Sequence, residues 1–117
     1  MTDIKRIEPG PRMSEAVIHG NKIYTAGIVA DSAAGKSLYE QTKDILQQID
    51  ALLAQAGSDK TRILKANIWL KDIAMFDQMN KAWDAWAVAG KTPARATVEA
   101  KLAGTGWDVE IMIEAAC

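Results

Sequence analysis

The sequence predicts an α+β fold, a mixed and mostly antiparallel sheet with two helices packed on one face. Residues 1–117 are read as a single domain. Three observations carry the prediction. Short runs rich in β-branched residues alternate apolar and polar positions, two longer segments repeat apolar residues every three or four positions, and the strands flank the helices rather than alternating regularly with them.

The elements follow in order. Ile4 to Ile7 is a short apolar-containing lead closed by Pro9-Gly10-Pro11. Ala16–His19 and Lys22–Ala26 surround Gly20-Asn21 and read as a hairpin. A loop of small residues leads to Ser37, which with Glu40 has the form of a capping box. Leu38, Ile45, Ile49, Leu52 and Leu53 then lay one apolar stripe along a helix at about 37–56, with Gly57 as its stop. In 63–71, Leu64, Ala66, Ile68 and Leu70 are expected to face the core, opposite Lys65, Asn67, Trp69 and Lys71. Asp72 is expected to cap a second helix bearing Phe76, Met79, Trp83 and Trp86, with Gly90 ending it. A strand from Ala94 places Ala96, Val98, Ala100 and Leu102 inward and Arg95, Thr97, Glu99 and Lys101 outward. The last strand puts Trp107, Val109, Ile111 and Ile113 inward, with Asp108, Glu110, Met112 and Glu114 on the other side. The outward face, with Trp69 and Met112 among charges, is expected to be completed by other subunits.

Composition narrows the function. With 49% hydrophobic residues and a formal charge of −1, the chain can build a core and lacks the basic excess of a broad nucleic-acid binder. One Cys excludes an intrachain disulfide. No apolar run reaches the roughly 18–20 residues of a membrane span. The charged start Met1-Thr2-Asp3-Ile4-Lys5-Arg6 is not that of a secretory leader, so a cytoplasmic location is expected. The single His19 sits at a predicted turn with no motif around it. Cys117 has no second thiol or imidazole at ligand spacing, so no metal site is expected. Gly104-Thr105-Gly106 lacks the third glycine and following helix of a dinucleotide loop.

What remains is a pair on the last two strands. Arg95 follows Thr92-Pro93-Ala94, Glu110 lies in what the sequence reads as the neighbouring strand, and both are expected to point away from the helices. A guanidinium can clamp a carboxylate bidentately, and a nearby carboxylate can hold and activate a water. That combination suits hydrolysis of a small carboxylate-bearing electrophile. A cross-strand ion pair is the plainer alternative for the same two residues.

Three segments resemble one family. Gly-Asn-Lys-Ile-Tyr-Thr-Ala-Gly (20–27), the helix from Gln41 to Gly57, and Thr-Pro-Ala-Arg-Ala-Thr-Val (92–98) with Val-Glu-Ile (109–111) are similar to the Rid (YjgF) proteins, the reactive-intermediate deaminases. The likeness runs from about Pro9 to Ala115. Met-Asn-Lys-Ala-Trp-Asp-Ala-Trp (79–86) resembles the short bacterial YoaB-like branch. The resemblance implies a chorismate-mutase-like fold and a homotrimer with clefts at subunit interfaces. It also implies cofactor-free hydrolysis of 2-iminobutanoate and 2-iminopropanoate to 2-oxo acids and ammonia. Arg95 matches the arginine that binds the substrate carboxylate, Glu110 the glutamate that positions water, and Asn80 and Gly27 match residues beside the ligand. Where the family's deaminase prototype has a tyrosine and a serine, this chain has Met13 and Ala26, and the loop between Asn80 and Arg95 is slightly shorter. A non-catalytic carboxylate-binding trimer, acting as sensor or interaction module, is the competing expectation. The expected partners are a small 2-imino or 2-oxo acid and further copies of the chain, not nucleic acid or membrane.

Overall fold

A computed structural model describes residues 3–117. Met1 and Thr2, at the start of the charged N-terminal segment, lie outside them. The chain forms β1 (Ile4–Ile7), β2 (Ala16–His19), β3 (Lys22–Thr25), α1 (Leu38–Gln55), β4 (Ile63–Leu70), α2 (Phe76–Trp86), β5 (Ala94–Glu99) and β6 (Val109–Ala116). This is the βββαβαββ order expected from the sequence. The six strands make one mixed sheet in the order β1-β2-β3-β6-β4-β5, antiparallel except for β4 and β5. No helix among the described residues is long and apolar enough to cross a membrane.

Local chemistry sets these boundaries. The β2–β3 turn has a positive φ of 63° at Gly20, the first of its two central residues, as a II′ turn requires. Ser37 caps α1 by accepting the Glu40 N–H at 3.1 Å, and Gly57 follows the helix at φ 71°. The start of α1 is tied to the start of β6. The side-chain amide of the buried Gln41 donates to the Asp108 carboxylate at 2.9 Å, and its oxygen accepts the Asp108 backbone N–H at 2.8 Å.

Both helices lie over the same face of the sheet. Ile45, Ile49 and Leu53 of α1 and Met79 and Trp83 of α2 meet Ile23, Ala66, Ile68, Leu70, Val109, Ile111 and Ile113 in one core. Burying each such aliphatic side chain contributes about 1.5–3 kcal/mol, so the covered face is the main source of stability.

Four expectations need correction. A bulge between Ile63 and Lys65 shifts the register of β4 against β6, so Ile63 enters the core and Leu64 is exposed. Asp72 caps a 3₁₀ turn at Ile73–Met75 rather than α2 itself, accepting the Ala74 N–H at 2.9 Å. Helix α2 stops at Trp86, where Ala87 turns extended at ψ 148°, and Gly90 lies beyond in a separate turn. Strand β5 is inverted: Arg95 and Thr97 face the helices, Ala96 and Val98 face away, and the strand ends at Glu99 before Ala100 and Leu102. The inversion follows from register, since Arg95 stands beside the core residue Ala66, and Thr97 beside Ile68.

Candidate functional site

Arg95 enters the structure directly after Pro93-Ala94, and its guanidinium turns under α2. The central carbon of the guanidinium lies 5.1 Å from the centre of the Trp83 ring and 5.7 Å from that of Phe76. Nη1 points to the Met79 sulfur at 3.8 Å, a weak acceptor. Among the described residues no carboxylate is close enough to make an ion pair with Arg95. Partial burial lowers its pKa from the usual arginine value, and the negative charge of Asp84 opposes that shift. The group stays charged across the physiological range. The result is a cation held by aromatic faces, with one N–H on a weak sulfur acceptor and no carboxylate on its fork. Such a fork is matched to a planar carboxylate.

Glu110 lies on the opposite face of the sheet, where it stands beside Trp69. Its side chain runs against Gly27, so closely that a Cβ there would overlap the carboxylate oxygen Oε2. A side chain at position 27 would push the carboxylate aside, so the glycine leaves room for Glu110 in this position. Ile28 holds the segment in place by exchanging hydrogen bonds with Ile111, at 2.8 and 3.0 Å. Among the described residues, neither the Gly27 N–H nor the Glu110 carboxylate has a hydrogen-bond partner. A free donor and a free acceptor therefore stand side by side.

The other sequence-predicted residues have no contact with Arg95 or the Glu110 carboxylate among the described bonds. Asn80 is half-buried on α2, next to Met79 of the arginine cradle. Ala26 adjoins Gly27, and its N–H donates to the Glu15 carbonyl at 2.9 Å. Met13 is exposed in the loop between β1 and β2, where its carbonyl accepts the Gly10 N–H at 2.8 Å.

The expectation that Arg95 and Glu110 share one face is overturned. They lie on opposite faces of the sheet, and β4 separates their strands, because the chain returns from α2 to place β5 parallel at the edge. Among the described residues, hollows indent the surface at two of several places. One of about 510 Å³ lies between α1 and α2, and one of about 460 Å³ lies by Leu38, Lys71 and Asp108; neither is lined by Arg95 or Glu110. Residue spacing alone holds no sign of Phe76, Met79 and Trp83 as a guanidinium cradle. They read there as an ordinary apolar helix stripe, and the inverted facing of β5 is what brings Arg95 to them.

Comparison with known proteins agrees with this architecture. A family model described as Endoribonuclease L-PSP matches residues 3–117. A RutC family protein of Haemophilus influenzae is 50% identical over 114 residues, covering 97% of this chain and 98% of the relative. The RutC family protein YoaB of Escherichia coli K12 is 48% identical over 113 residues, covering 97% of each. The crystal structure of a YjgF family member from Neisseria meningitidis superposes with a TM-score of 0.93 at 47% identity, covering 97% of this chain and 94% of that one. With one family model spanning the described chain, and close relatives matched nearly end to end in sequence and in fold, the protein belongs to the Rid (YjgF) family.

Proposed function

We propose that the protein hydrolyses reactive 2-imino acids, 2-iminobutanoate and 2-iminopropanoate and their enamine tautomers, to 2-oxo acids and ammonia. The observation that carries this reading is the Arg95 guanidinium, stacked on Trp83 and Phe76 with no carboxylate of its own. Arg95 binds the substrate carboxylate. Glu110 holds a water and takes a proton from it as the oxygen attacks the imine carbon. That proton is returned to the carbinolamine nitrogen, and the C–N bond then breaks as the new hydroxyl gives its own proton to the Glu110 carboxylate, leaving the 2-oxo acid and ammonia. The Gly27 N–H, free in the chain, offers a fixed donor to charge that develops near it. Asn80, Ala26 and Met13 line the surroundings of the substrate. The reading calls for no cofactor.

Opposite facing within one chain requires that the two residues meet across a subunit boundary. A head-to-tail contact that brings the Arg95 side of one copy to the Glu110 side of the next closes into a ring, and a homotrimer with three clefts is the ring proposed.

Mixed subunits test this reading. Arg95→Ala and Glu110→Gln are each expected to lose at least about 100-fold of the acceleration, the scale of removing a positioning or charge-stabilising group. The measurement is a coupled assay with imines generated in situ by an amino-acid oxidase. Refolded together in equal amounts, the two inactive chains are expected to regain about a quarter of the wild-type rate, because random pairing leaves that share of interfaces with both groups intact. An Arg95→Ala protein as fast as wild type removes the role of Arg95. A mixture that stays inactive removes the shared cleft. Met13 and Ala26, which bring no hydroxyl, favour the second reading of a carboxylate-binding trimer without turnover. Calorimetric binding of 2-oxobutanoate with no imine hydrolysis would establish it.

A further inference from the structure

Trp83, the ring on which Arg95 rests, is one member of a longer stack. Its ring centre is 5.4 Å from that of Trp86, with the planes tilted by 58°. The Trp86 indole Nε1–H donates to both carboxylate oxygens of Asp50 on α1, at 3.0 and 3.2 Å, and the Lys60 ammonium stands 5.4 Å from the Trp86 ring centre. A continuous line of contacts thus runs from α1 to β5: Asp50, Trp86, Trp83, Arg95. The two rings of this line differ in freedom. Trp83 is buried, whereas Trp86 is half-buried at the rim of the groove between the helices, where an indole without a fixed N–H partner can turn toward water. Arg95 has no carboxylate to orient it, so the planes beneath it define where its fork points.

We propose that Asp50 and Trp86 are positioning residues for the Arg95 guanidinium. The Asp50 carboxylate fixes the indole of Trp86, Trp86 fixes the tilt of Trp83, and Trp83 presents the guanidinium to an incoming carboxylate. This rests on the reading that Arg95 binds the substrate carboxylate. If Asp50 merely joins the two helices, removing it lowers stability and leaves substrate affinity alone. If it positions Arg95, removing it weakens carboxylate binding and leaves the chemical step, which Glu110 performs, almost untouched.

The test uses the full chain with Asp50→Ala, Trp86→Phe and the conservative Asp50→Asn, whose amide oxygen still accepts the indole N–H. The first readout needs no substrate. The Arg95 Nε–H resonance, identified by its loss in Arg95→Lys, carries the ring-current shift of the indole beneath it. Asp50→Ala and Trp86→Phe are expected to move that resonance toward its random-coil position. They should also raise KM for the imine and Kd for 2-oxobutanoate about 3–10-fold, the scale of one lost hydrogen bond, with kcat within about twofold of wild type. Asp50→Asn is expected to restore both. An Arg95 resonance that does not move in Asp50→Ala overturns the proposal, as does a rise in KM that Asp50→Asn fails to reverse. If wild-type protein neither hydrolyses the imine nor binds 2-oxobutanoate, the functional reading fails, and the resonance alone then decides whether the stack orients Arg95.

Discussion

On the covered face of the sheet, Ile23, Ile68, Ile111 and Ile113 are sealed from solvent. In the next residues along the same strands, on the opposite face, Tyr24, Trp69, Glu110 and Met112 remain within its reach. The first set is purely aliphatic and packs under two helices. The second mixes aromatic, thioether and acidic groups, with Val98 half exposed at its edge and Lys65 in register with Glu114. A face that is only solvated has no use for Tyr24, Met112 and Val98, and a face that is only core has no place for Glu110. The contrast divides the sheet. One face holds the fold together, and the other leaves aromatic, thioether and acidic side chains within reach of solvent.

Substitutions on either face can break that division or sharpen it. The largest effect is expected from Ile111→Ala on the covered face, a loss of about 2–5 kcal/mol in denaturant unfolding from the cavity it leaves. Gly27→Ala, beneath the Glu110 carboxylate, is expected to cost imine hydrolysis up to about 100-fold by displacing that group, with an unfolding midpoint close to wild type. A large stability loss at Gly27 would show that the open face, too, carries the fold. Met112→Lys is expected to reduce self-association at least about tenfold, read by sedimentation, while shifting monomer stability by no more than about 0.5 kcal/mol. The smallest effect belongs to Asp59, which caps the turn leading into β4 just before the bulge that sends Ile63 inward and Leu64 outward. Hydrogen bonds from the Thr61 side chain and backbone lower the Asp59 pKa, an opposing effect of burial takes back part of the shift, and Arg62 adds the smallest contribution, a further lowering. A lowered folded pKa means that this stabilisation is present above the ordinary aspartate range and is lost as pH falls through the folded value. The thermal midpoints of wild type and Asp59→Asn are therefore expected to differ slightly at pH 7 and to converge well below about pH 4.

Much of this division was legible in the sequence. Ser37 and Glu40 located the start of α1, Gly20-Asn21 the hairpin, and the alternation from Val109 to Ile113 gave β6 its correct inward side. The failures share a cause. Alternation reports a period of two and not which phase is covered, so β5 was read with Ala96 and Val98 inward. They are outward, continuing the apolar strip of Trp69 and Met112, while Arg95 finds aromatic partners under α2. Leu64 failed differently, because a bulge inserts a residue that no alternation announces. The likeness of Pro93-Ala94-Arg95 and Val109-Glu110-Ile111 to one family picked out Arg95 and Glu110. Only the topology shows that β4 stands between their strands and that they face opposite ways. The Asp50–Trp86 contact joins residues 36 apart in sequence, with no local pattern to reveal it.

The strand order has a kinetic consequence. β6 follows all the other strands among the described residues, yet it lies at the centre of the sheet, bonded to β3 on one side and β4 on the other. Until residues 109–116 have left the ribosome, the hairpin end and the helical end have no strand to join them. Their inner edges, β3 and β4, stay open to the wrong neighbours. Exposure to aggregation is therefore greatest before residues 109–116 can pair with both edges, and chaperone protection is most useful in that interval.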